Sequence, residues 1–191
     1  EEALGPPDPQ TVGVLPFLVD GDSIYQPLRL GLANMLTTDL ALVRQFRMVE
    51  RVQLSALLEE LRLPSDLVDP STAAQTGRLL GAARMVLGTV SIPSEDRTRM
   101  SSSIVVGSGE ILEPFQETGD LSDLFDLEKE LAIRTAESLG YQLTEAEIQR
   151  IRQNVPANLA SFLSFSRGLM AEDAGDFEAA EQQKLAIIQR A

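Results

Sequence analysis

The chain has 191 residues, 43% of them hydrophobic, enough to bury a sizeable core and to leave room for one ordinary domain with a small appendage. Its 29 acids outweigh 16 bases, and the excess grows along the chain, with 13 acids against 9 bases over residues 1–107 and 16 against 7 over 108–191. The net charge of −13 repels phosphate backbones and anionic membrane surfaces, so nucleic acid is not an expected partner. The absence of cysteine and histidine excludes thiolate nucleophiles, imidazole bases, zinc sites built on sulfur or nitrogen, and Ser-His-Asp triads, while leaving the redox compartment open.

Residues 1–10, EEALGPPDPQ, read as a tether. The run TVGVLPFLV that follows is β-branched and apolar and predicts a strand buried on both faces, with Pro16 marking an edge or a bulge and DGD turning the chain. From Pro27 the spacing of Leu28, Leu32, Met35, Leu36, Leu40 and Val43 predicts a long amphipathic helix, with Gly31 and Ala33 small enough for close packing. FRMVE is a short strand, and RVQLSALLEELRL returns to helical period until Pro64. Asp69, Ser71 and Thr72 open another short helix, which Gly81 closes, and ARMVLGTVSI is a third buried strand. Residues 97–106 and 110–118 flank GSGE and predict a hairpin. The segment DLSDLFDLEKELAIRTAESLG then predicts a helix with an acidic first turn and a terminal Gly140. The fold class is α/β, a mixed sheet with packed helices over residues 11–153, joined through QNVPAN and Pro156 to an all-α hairpin over 157–191.

Candidate sites are few. Asp20 and Asp22 in DGD lack the ligand spacing of a calcium loop and fit a turn better. GSGE sits between strands, where no helix dipole would favour phosphate, and Ser101 to Ser103 offer hydroxyls without a base. Glu50 and Arg51, at a strand-to-helix junction, admit two readings, a structural ion pair or an anion-binding site. No catalytic residue, metal ligand set or cofactor motif is assigned, and no run reaches the ~18 apolar residues of a membrane span.

The ordered series VGVLPF, GLANMLTTDL, FRMVER, LLEELRL and STAAQTGRLLGAARMVLGTV, followed by GEILEPFQETGDLSDLFDLEKELA, resembles the bacterial family of the curli-secretion protein CsgG and the TolB amino-terminal-like domain over residues 11 to about 140. In that resemblance Glu50 and Arg51 fall on the VER element and Gly81 and Gly88 on the GA…LGT glycines. It implies an α/β domain of envelope-associated, often lipid-anchored proteins that assemble or contact partners, without catalytic residues. The lipidated cysteine and membrane-spanning hairpins of a curli-type pore do not occur in it, so channel activity is not expected.

The segment SFSRGLMAEDAGDFEAAEQQ is similar to a tetratricopeptide repeat, with Gly168, Ala171, Gly175, Asp176, Phe177 and Ala180 at the spacing where two helices pack through small residues, against a plain helical hairpin as the other reading. Phe162, Phe165 and Leu169 on its first helix, and Phe177, Leu185 and Ile188 on its second, are more apolar mass than one hairpin hides, and mark a surface for further repeats, a protein or peptide partner, or self-association. The expected function is a non-enzymatic protein-interaction or scaffold module of a bacterial cell-envelope (lipo)protein involved in assembly or transport. The alternative is a small-ligand or nucleotide-sensing domain coupled to the repeat. The expected location is the periplasm or outer membrane, with the cytoplasm as the alternative.

Overall fold

The computed structural model describes residues 6–63, 69–112 and 114–188. Its opening run forms two strands in place of the single one expected, β1 (Asp8–Val14) and β2 (Leu18–Gly21). Both lie parallel to the 13-residue β4 (Ala82–Ser94), with Val14 opposite Val86 and Leu18 opposite Thr89. Pro16 falls in the gap, where a residue without an N–H cannot continue the ladder, so the expected edge or bulge is a break between two strands. There Phe17 turns inward and its ring covers Gly88, where a Cβ would stand 2.3 Å from the ring. Asp8 to Gln10, expected in the tether, belong to β1, and residues 1–5 lie outside those described.

The other strands, and the α-helices up to residue 138, are α1 (Leu28–Ala41), β3 (Arg47–Met48), α2 (Arg51–Glu60), α3 (Pro70–Leu79), β5 (Arg97–Val106), β6 (Phe115–Gly119) and α4 (Leu124–Ser138). The strand order is β3-β1-β4-β5-β6, with β2 also on β4, parallel on the β1 side and antiparallel through β5 and β6. Strand alternation sends Val86, Val90 and Ile104 to one face, under α1 and α4, and Met85 and Val105 to the other, under α2 and α3. This is the mixed α/β sheet with packed helices that the sequence predicts. Gly81, at φ 68°, supplies the left-handed residue that ends α3, and Asp69 caps its start by accepting from the Thr72 N–H at 2.8 Å. The hairpin around GSGE is present, with β6 beginning only at Phe115. Pro64, expected to stop α2, lies outside the described residues.

Among the described residues three further α-helices follow: α5 (Glu145–Gln153), α6 (Leu159–Asp173) and α7 (Phe177–Ile188). α5 was not expected from its short polar stretch, yet it has a reciprocal capping box between Thr144 and Glu147 and a fully enclosed Ile151. α6 and α7 form the predicted helical hairpin, and a Cβ built on Gly168 would stand 3.6 Å from the Gln183 Cβ and 3.7 Å from the Ala180 carbonyl. α6 also docks on α1, and Phe162 and Leu163 join the main core cluster. α1 is therefore covered by the sheet on one side and by α6 on the other, with Leu28, Leu32, Leu36 and Leu40 completely enclosed.

Candidate functional site

The residues singled out in the sequence separate into two groups when folded. Phe162 and Leu169 are buried, and Phe162 stands edge-on to Phe125 with ring centroids 5.2 Å apart and stacks on Phe165 at 6.2 Å. Phe162 and Phe165 serve packing between α6 and the body of the protein. Phe177 and Leu185 remain exposed on α7, and the Ile188 side chain lies outside the described residues. Of the loop candidates, Asp20 accepts from the Ser91 hydroxyl at 2.9 Å, and Asp22 accepts from the Ile24 N–H at 3.0 Å, so both act locally. Ser102 is buried with its hydroxyl 3.2 Å from that of Thr135. In GSGE the Gly109 N–H closes a turn on the Val106 carbonyl.

Arg51 and Phe177 meet at one place. α2 carries Arg51 at its first position, and α6 ends at Asp173, four residues before Phe177 opens α7. The Arg51 guanidinium spans the gap, pairing with Glu172 through Nη2 at 2.9 Å and with Asp173 through Nη1. The Ser55 hydroxyl donates to the second Asp173 oxygen at 2.9 Å, and Lys184 of α7 reaches Glu172 at 2.6 Å. A planar fork with parallel donors suits this double acceptance, where a lysine could offer only a point charge. Glu50 stands exposed beside it as the α2 N-cap residue, with no capping bond from its side chain.

Around this clasp lies a groove of about 630 Å³. Its walls include Val52 and Leu63 from α2 and its exit, Pro16 and Leu30 from the sheet side, and Met170 and Phe177 from the α6–α7 corner. Val52 is 65% exposed and Phe177 72% exposed, unusual openness for apolar side chains lining one groove. Glu172, Asp173, Ser55, Val52 and Met170 were not marked in the sequence, since nothing local ties residues about 120 positions apart. The Ser55 hydroxyl is committed to a carboxylate, and among the described residues no group of three or more His, Cys, Asp or Glu is placed to hold a metal. No helix among the described residues is long and apolar enough to cross a membrane.

Solved structures with similar folds include the LpoB C-terminal domain from Salmonella enterica, at 19% identity over 61% of this chain and 86% of that one, with a TM-score of 0.47. Lipoprotein GNA1162 from Neisseria meningitidis is 12% identical over 71% of this chain and 99% of that one, with a TM-score of 0.50. TolB from Acinetobacter baumannii is 14% identical over 73% of this chain but only 30% of its own length, with a TM-score of 0.46. The curated proteins contain no match to the chain. The family model for CsgG, the curli production assembly/transport component, matches residues 21–120, from the end of β2 through β6 and including Arg51. That segment is more than half of the sequence, and the chain belongs to the CsgG family.

Proposed function

We propose that the chain is a non-enzymatic protein-interaction module of a bacterial cell-envelope (lipo)protein, acting in assembly or transport, and that the groove between α2 and the α6–α7 corner receives an apolar segment of a protein partner. The observation that carries this reading is the pair Val52 and Phe177, both largely exposed and lining one groove beside the Arg51 clasp. Large apolar side chains gathered on one concave surface mark interaction sites more often than isolated ones do. Family membership supports it, since the family is described as an assembly/transport component, and so does the likeness in fold to a Neisseria lipoprotein. We place the protein in the periplasm or at the outer membrane on the same grounds. The α6–α7 hairpin supplies the groove's second wall in the manner of a tetratricopeptide repeat.

The alternative, an anion or nucleotide bound near Arg51, would have to displace Glu172 and Asp173 from the guanidinium that both already occupy. A protein partner needs no such displacement. The test is site-specific photo-crosslinking in cells producing the protein, with the reactive residue placed at Val52 or Phe177 and, as a control, at Arg99 on the sheet. A discrete protein adduct from both groove positions and none from Arg99 is expected. No adduct, or the same one from all three positions, would overturn the assignment of the groove.

A further inference from the structure

Asp39, Glu128 and Lys129 are charged by type yet enclosed in the body of the protein, where α4 crosses α1. Lys129 Nζ lies 2.5 Å from Asp39 Oδ2 and 2.9 Å from Glu128 Oε2. The other Asp39 oxygen accepts from Asn154 Nδ2 at 2.6 Å. Apart from the ammonium contact on Oε2, both Glu128 oxygens are buried without a well-aligned hydrogen bond among the described residues. One ammonium thus faces two carboxyl groups away from water, and two full negative charges there would leave one uncompensated. The charged groups facing Glu128 are Asp39 from α1 and Lys129 from its own helix. Arg134 of α4 and Arg152 of α5 pair instead with Glu117 and Glu130 at the exposed surface.

Asn154 joins this cluster to the chain's architecture. Its backbone caps α5, its side chain is held by Asp39, and four residues later Asn158 caps α6 by accepting from the Ser161 N–H. The linker that delivers α6 to α1 is therefore tied at its start to a buried charge cluster and at its end to a helix cap. Of the four residues in the cluster, Asn154 alone is exposed, so it is the member that can leave without opening the core.

We propose that Asp39, Glu128, Lys129 and Asn154 form a proton-operated latch: with a proton on Glu128 the cluster is neutral and holds the 154–158 linker to α1, and loss of that proton frees the linker and loosens the docking of α6. Burial and the neighbouring Asp39 carboxylate push the Glu128 carboxyl up to about 8, so the change falls in mildly alkaline solution. Asn154 is the exposed member of the cluster, so its contact with Asp39 is the one that yields to water drawn toward the new charge. Since α6 also carries Met170, Glu172 and Asp173 to the groove, release would loosen one groove wall. That coupling rests on the groove reading; the latch itself does not.

Amide hydrogen exchange on the full chain, expressed as protection factors from pH 6 to 9.5, reads the latch without any partner. Residues 155–165 should lose about tenfold protection between pH 7 and 9 in the unmodified protein, while β4 changes less. Glu128→Gln should hold protection constant across the range, and Asn154→Ala should show the low value throughout. Carbon-13 NMR of the Glu128 carboxyl in the unmodified protein gives an independent reading should a variant fail to fold. The same pH profile with and without Glu128→Gln, a β4 loss as large as that of the linker, or a Glu128 titration in the ordinary carboxylate range would each overturn the latch.

Discussion

A Cβ built on Gly31 would stand 1.9 Å from the hydroxyl oxygen of Ser166. Gly31 lies in α1 of the sheet domain and Ser166 in α6, so the two helices touch backbone to side chain at a point with no space for even one methyl group. The Ser166 hydroxyl is fixed in place by donating to the Phe162 carbonyl at 2.7 Å. Gly31→Ala should therefore destabilise the protein by about 1–3 kcal/mol, the range for overpacking a tight contact. Ser166→Ala in the same chain should recover part of the loss, because it removes the nearest atom and leaves the Ser166 Cβ at 3.0 Å. Urea unfolding of the four members of this double-mutant cycle measures both effects, and a Gly31→Ala variant as stable as the parent would rule out the tight contact.

Arg51 offers a second test, at the far end of α6. Its guanidinium and the two carboxylates it holds are only partly exposed, so solvent screens the pairs less than on an open surface. Arg51→Ala is expected to cost roughly 1–2 kcal/mol and to lower exchange protection in α7 before that of β4. Arg51→Lys should recover less than half of this, since one ammonium cannot serve both Glu172 and Asp173 in the same geometry. Equal behaviour of the lysine variant and the parent would show that charge alone, without the fork, holds the corner.

The sheet domain was largely legible because its strands are continuous apolar runs and its helices keep a 3.6-residue period between turn residues. β4 and the end of α3 at Gly81 are examples. α5 was missed although Thr144 and Glu147 carry a capping-box spacing, because nine mostly polar residues present too short an apolar stripe to stand out. The break at Pro16 was marked by the proline but not resolved into two strands. The groove was half legible. Arg51 and Phe177 were both singled out, but their meeting depends on an ion pair across 121 positions, which no local pattern encodes. Phe162 read as a surface residue because a helix covered on both sides looks, in sequence, like one with apolar area to spare. The Asp39, Glu128 and Lys129 cluster was illegible for a related reason: charged residues read as solvated, and their burial appears only once α1 and α4 cross.

Glu128 also sets an expectation for global stability against pH. Its carboxyl is raised from the usual 4.5 to about 8 in the folded chain, so between those values the folded state holds a proton that the unfolded state has released. Its contribution is fully present below about pH 4.5, declines as pH rises, and is lost above about pH 8. Asp39, also raised by burial, adds to the decline at lower pH. Glu128→Gln removes the Glu128 part of the slope. Relative to the parent, the variant should gain about 1–3 kcal/mol on going from pH 5 to pH 9, within the limit of about 1.4 kcal/mol per pH unit. Parallel stability curves for the two proteins across this range would mean that Glu128 is ionised in the native state.

The groove makes the opposite kind of demand, that a substitution change binding without changing stability. Phe177 and Val52 are open to solvent, so Phe177→Ser and Val52→Ser should each shift the unfolding free energy by less than about 0.5 kcal/mol. Phe162→Ala, by contrast, removes a buried ring packed against Phe125 and should cost about 3–5 kcal/mol. If the groove docks an apolar segment, crosslinking from Val52 should fall at least several-fold when Phe177→Ser is combined with it, because the partner loses its anchor on the facing wall. Self-association through α7 gives a different pattern. Light scattering would then show a concentration-dependent dimer that Leu185→Ser, outside the groove, dissolves, while Phe177→Ser reduces heteromeric crosslinks and leaves the mass unchanged. A Phe177→Ser variant that unfolds at markedly lower urea would place that ring in the core after all and remove the apolar wall on which the docking site depends.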